Sequence, residues 1–232
     1  MSTIAEIKKS LQALAADELA RIALWLEDLM RSVGAGVGEV RERQFQEMPD
    51  QPSSMTQEEF TRFEEQSTSR HEYVNGLVYA MGGASLAHNR IARRLLVALE
   101  AQLRDGPCEP FILDTKLEVR SDSDAIVYYP DLMVACRSPE RTGSCVRNPA
   151  LVAEILSPST WHIDLREKVM CYGRVASIEE YLVLSQDEYR AILYRKADGW
   201  RPCIHAQPEA LIEFRSIGMS LVLASVYEGT LC

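Results

Sequence analysis

The sequence predicts an α/β fold: a mixed β-sheet flanked by helices, with a helical hairpin extension at the N-terminus. Three observations predict it. Asn75-Gly76 stands between apolar, strand-like runs, and Asp198-Gly199 marks a second such place late in the chain, both signatures of tight hairpin turns. The run 151–156 is short and nearly all apolar, as a central strand buried on both faces requires. A helical stretch over 164–175 joins that run to another strand at 181–184, giving a strand–helix–strand unit.

The elements follow in order. Thr3 with Glu6 forms a capping-box pattern, and Ile4, Ile7, Leu11 and Leu14 then repeat at helical spacing. Asp17 caps a second stripe of Leu19, Ile22, Leu26 and Leu29, so residues 1–32 read as a helical hairpin. Its apolar faces suit packing on the main domain or on a second copy, and a homodimer through these helices is one expected arrangement. Residues 33–55 are Gly-rich, then polar and broken by Pro49 and Pro52, hence a linker. The main domain, 56–232, opens with Thr56 and Glu59, a second capping box for a helix to about Glu65. The hairpin about Asn75-Gly76 comes next. A helix over 86–103 presents Ile91, Leu95 and Leu99 on one face. One strand is expected over 111–119, with Phe111, Leu113, Leu117 and Val119 inward, and residues 121–124 form a turn. Pro130-Asp131 starts a further strand, and 191–194 another.

Composition narrows the function. The chain has 232 residues, 47% hydrophobic and 25% charged, which is ordinary for a globular protein. No run of 18 apolar residues suggests a membrane-spanning helix, and the N-terminus lacks a basic segment followed by an apolar core. A cytoplasmic protein is therefore expected. The net charge of -9 argues against bulk electrostatic coating of nucleic acid. It averages an uneven surface, because 86–104 carries four Arg against one Glu. The six Cys contain no CxxC pair, so a structural zinc site is not expected; reduced thiols are, with Cys136 and Cys171 as small core residues.

One residue breaks the pattern. Glu154 lies inside the apolar run LVAEIL. A buried, unpaired carboxylate costs several kcal/mol, so Glu154 needs a cation, a proton or a donor unless its strand is an edge facing water. Asp131, after Pro130, alone would be an ordinary turn residue. Adjacent strands lie about 4.8 Å apart, so the two acids could meet on one metal ion. Oxygen donors of this kind suit Mg²⁺ or Mn²⁺. Asp164, Lys168 and Tyr172 share a helical face. Either Asp164 and Lys168 form a surface ion pair, about 0.3–0.5 kcal/mol, or Lys168 stands over the acidic pair to orient water and stabilise charge on phosphate. His88 points inward as a core histidine or supports the site. Arg90, Arg93 and Arg94 either contact phosphates or form a solvated face.

The segments MTQEEF, RHEYVNGLVYAM, YYPDLMVA, LVAEILSPST, DLREKVMCYG and IEEYLVL, together with the helix containing His88, resemble the Uma2 family. That family belongs to the restriction-endonuclease-like PD-(D/E)xK superfamily. The resemblance covers about residues 55–230. It implies a restriction-endonuclease-like fold and a Mg²⁺- or Mn²⁺-dependent endonuclease acting on nucleic acid, DNA first. By the resemblance, Asp131 is the PD aspartate and Glu154 the second acid. Leu156 replaces the lysine expected two residues later, and Lys168 on the next helix takes that role. Glu72 matches an N-terminal acid of the metal site, and the Ile155 carbonyl a backbone ligand. Asp164, Tyr172 and His88 would support them. The rival expectation is a non-catalytic nucleic-acid-binding or regulatory protein on the same fold.

Overall fold

The computed structural model describes residues 55–112, 114–120, 125–136, 141–157 and 163–231. The expected N-terminal hairpin, most of the linker and the 121–124 turn lie outside them. Helix α1 (Gln57–Gln66) begins as expected: Thr56 Oγ1 accepts from the Glu59 amide, and Glu59 returns a carboxylate to the Thr56 amide. Strands β1 (His71–Val74) and β2 (Leu77–Ala80) then pair antiparallel. Asn75 and Gly76 both have positive φ, 48° and 100°, as this turn demands and few other residue pairs tolerate.

Helix α2 (Leu86–Leu103) is N-capped by Ser85 and buries Ile91, Leu95, Leu99 and Leu103. The single strand expected over 111–119 is two strands instead. β3 (Cys108–Ile112) and β4 (Lys116–Arg120) belong to different sheets, so the chain crosses between layers where a continuous alternating pattern suggested one element. β5 (Ala125–Tyr128), β6 (Leu132–Cys136), and the two-residue strands β7 (Arg141–Thr142) and β8 (Cys145–Val146) follow. Next come β9 (Leu151–Ile155), one π-helical turn (Ile163–Glu167), α3 (Lys168–Gly173) and β10 (Glu180–Leu184). Then β11 (Ala191–Arg195), β12 (Pro202–His205), the β13 (Leu211–Phe214) and β14 (Met219–Val222) hairpin, and α4 (Leu223–Tyr227) complete the described chain.

Two six-stranded sheets result, ordered β2-β1-β5-β4-β8-β7 and β12-β11-β10-β9-β6-β3. In the second, β9 is central, parallel to β10 and antiparallel to β6. Strand alternation sends Leu151, Ala153 and Ile155 into one core with α2, β13, β14 and α4. Val152, Val183 and Tyr181 face the other core, with Leu117 and Tyr128 from the first sheet and Tyr172 from α3. Glu154 has the parity of Val152 and so enters this second apolar layer.

The two cysteine expectations have different outcomes. Cys171 is a buried thiol outside any disulfide, as expected, and accepts from the Tyr128 hydroxyl (3.6 Å). Cys136, expected reduced in the core, instead forms a disulfide with Cys108, which sits directly opposite it on the neighbouring strand.

Candidate functional site

Register brings the two acids together. Leu132 pairs with Ala153, so Asp131 and Glu154 are neighbours one step beyond, at the end of β6. The Asp131 amide donates to Glu154 Oε2 (3.3 Å), and the Ile155 amide donates to Asp131 Oδ2 (2.7 Å). The Ala150 carbonyl and the Leu156 amide bond on the β10 side, while the Ala150 amide donates to Val134 on β6. By alternation, the amide and carbonyl of Ile155 face β6 and Asp131.

Lys168 stands where three further elements meet. Its Nζ is 2.7 Å from Glu154 Oε1, 3.1 Å from Asp164 Oδ1 and 3.3 Å from Glu72 Oε1. Its side chain is 6% exposed, and the three carboxylates lie between 3% and 7%. The alternative of a surface Asp164–Lys168 pair is therefore wrong. The predicted helix starts as a wider π turn, which carries Asp164 on the inner side with Lys168. Tyr172 donates to Glu154 Oε1 (3.1 Å), and the Lys168 ammonium lies 5.3 Å from the centre of the Tyr128 ring. Tyr128 escaped sequence analysis, although it directly precedes Tyr129-Pro130-Asp131.

The electrostatics are unbalanced. Glu72, Glu154 and Asp164 meet on one ammonium, and Asp131 lies beside Glu154. Burial pushes Glu154 well above the usual carboxylate range; Lys168 opposes that rise, while Asp131 and Asp164 add to it. Burial alone would lower Lys168, but Glu154, Glu72, Tyr172 and Asp164 outweigh it and hold the amine well above its usual value. The two directions agree physically. One ammonium stays charged, and it cannot neutralise every acid around it, so the cluster retains a proton or takes another cation.

The only partly open acid of the four is Asp131, whose side chain is 21% exposed. His88 Nε2 lies 3.0 Å from Asp131 Oδ2, so His88 is at the site and not simply in the core. With the Ile155 amide also on Oδ2, Oδ1 is left without a partner among the described residues. Ser85 caps α2 and bonds to Gln186, while Gln186 Nε2 donates to the Leu156 carbonyl (2.5 Å); this fixes the His88 turn against the ends of β9 and β10. Arg94 instead pairs with Glu228 (3.0 Å), Arg90 reaches the Gly229 carbonyl (3.4 Å), and Arg93 is exposed.

The donor set fits a hard divalent cation. It offers carboxylate and carbonyl oxygens, surplus negative charge and one open acid, and Mg²⁺ is ordinarily held by only one or two carboxylates plus water and phosphate. Among the described residues no three His, Cys, Asp or Glu side chains form a ready ligand set, because Lys168 occupies the point where three acids converge. A second buried acid, Glu180, is also bonded through both oxygens, to Arg195 Nε, the amides of Arg215 and Ser216, and the Ser216 hydroxyl. That acid is structural, as is Glu64, bonded to His71 and Tyr129. Sequence analysis missed both, since tertiary packing brings their partners together.

Comparison with known proteins gives the family. The Uma2 family model, described as "Putative restriction endonuclease", matches residues 57–224. An uncharacterised protein of Synechocystis, slr1290, is 32% identical over 177 residues, covering 75% of this chain and 92% of its own. A second, sll1609, is 34% identical over 145 residues, covering 61% and 81%. The crystal structure of a putative nuclease belonging to DUF820 from Anabaena variabilis superposes with a TM-score of 0.61 at 17% identity, covering 75% of this chain and 98% of that one. At that identity the likeness concerns the fold.

Proposed function

The chain belongs to the Uma2 family, and from that premise we propose that it is a metal-dependent endonuclease that hydrolyses phosphodiester bonds in nucleic acid. The restriction-endonuclease description of the family makes DNA the first substrate to try. One observation carries the reading: Asp131 and Glu154 sit side by side on neighbouring strands, and their charge, with that of Glu72 and Asp164, exceeds what Lys168 neutralises.

Asp131 and Glu154 would hold Mg²⁺ or Mn²⁺, with the Ile155 carbonyl on the same side. The ion would polarise the scissile phosphate and lower the pKa of a bound water. His88 and the Ile155 amide fix Asp131 Oδ2, so the free Oδ1 points one way. Tyr172 and Lys168 fix Glu154 Oε1. Lys168 keeps its proton, so it does not act as a base. Its fixed charge beside Glu154 stabilises negative charge developing on phosphate. Substrate reaches the site from the side of Asp131 and His88, where the exposed segment 81–86 lies.

The test is cleavage of supercoiled plasmid, single-stranded DNA and RNA by the purified full chain, with Mn²⁺, Mg²⁺ or EDTA. Divalent-dependent cutting is expected, reduced at least 100-fold in Asp131→Asn and Glu154→Gln. No cutting of any substrate by wild type, under conditions where it is folded, would sink the proposal and favour a non-catalytic binding role.

A further inference from the structure

We propose that Lys168 is the resident cation of a second ion position, so that this site takes one divalent ion and not two. The inference rests on the metal-dependent reading above and concerns its stoichiometry. An ammonium has three donors. Lys168 has three carboxylates to receive them: Glu154 at 2.7 Å, Asp164 at 3.1 Å and Glu72 at 3.3 Å, from β9, the π turn and β1. The Tyr128 ring covers its remaining side at 5.3 Å. A buried charge so enclosed is a fixed component of the site.

The arrangement has the logic of a two-ion centre. In such centres a carboxylate is shared between two cations. Glu154 is that carboxylate here. Its Oε1 is taken by the ammonium, and its Oε2 faces the Asp131 backbone. Asp131 serves the open side, whereas Glu72 and Asp164 serve the ammonium. Glu72 is therefore assigned to Lys168 and removed from the ligands of the divalent ion.

The experiment counts Mn²⁺ bound by the full chain, using calorimetric titration and the free-Mn²⁺ EPR signal. Wild type binds one equivalent. Lys168→Ala, which removes the charge and leaves room for an ion, binds two. Glu72→Gln still binds one, weakened by less than the about tenfold or more expected on loss of a true support or ligand, because its carboxylate meets the ammonium at 3.3 Å. Two ions in wild type, one in folded Lys168→Ala, or a tenfold loss in Glu72→Gln would each overturn the inference. The Glu72→Gln result decides if Lys168→Ala does not fold. Absence of any Mn²⁺ binding to wild type would instead overturn the metal-dependent reading itself.

Discussion

Replacing Lys168 by Met tests how much of the domain's stability depends on the site. The ammonium contacts three carboxylates that are each no more than 7% exposed. Removing one partner of a buried ion pair costs about 3–5 kcal/mol, because the remaining charge stays buried, whereas an exposed pair is worth about 0.2–1 kcal/mol. For a chain of this size each kcal/mol shifts the melting temperature by about 2–4 °C. Lys168→Met should therefore melt about 6–20 °C below wild type in EDTA, followed by circular dichroism near neutral pH. The acids left without a counter-charge can then be neutralised by added Mn²⁺, which should recover more of the loss in the variant than it adds to wild type. A shift under about 2 °C in EDTA would refute the reasoning, since it would put Lys168 in water.

Two further outcomes follow from the same geometry. His88→Ala should weaken Mn²⁺ binding by about 10- to 100-fold while the melting temperature in EDTA falls little, because His88 orients Asp131 from outside the core; calorimetric titration measures it, and unchanged affinity would detach His88 from the site. Glu154 has a folded-state pKa raised above its unfolded value, so the folded protein binds more protons and the metal-free fold loses stability as pH rises above the ordinary carboxylate range. A bound divalent ion removes that loss, so saturating Mn²⁺ should raise the melting temperature more at pH 8 than at pH 6; an equal rise would contradict it.

Much of this molecule was legible in sequence because its signals were local. The Asn75-Gly76 turn, the capping box of Thr56 and Glu59, and the apolar run around Glu154 each depend on neighbours in the chain. Glu154 was conspicuous because a carboxylate in a central strand has no cheap explanation. The failures have the opposite cause. Phe111, Leu113, Leu117 and Val119 recur at strand spacing over 111–119, and nothing local says that β3 and β4 join different sheets. Cys108 and Cys136 are 28 residues apart, and only the β3–β6 register makes them face one another. Periodicity put Asp164, Lys168 and Tyr172 on one face but could not say that the face was buried. Tyr128 and Glu72 come to Lys168 from the other sheet, a contact that tertiary packing alone creates.

The central claim is that Asp131 and Glu154 together bind a catalytic divalent ion. A crystal of the full chain soaked in Mn²⁺ measures this directly through anomalous scattering. The account predicts one peak, bonded to both carboxylates at about 2.1–2.3 Å, with Lys168 still enclosed by Glu72, Asp164 and Glu154. An anomalous map with no peak at these two residues, in a crystal saturated with Mn²⁺, would contradict it.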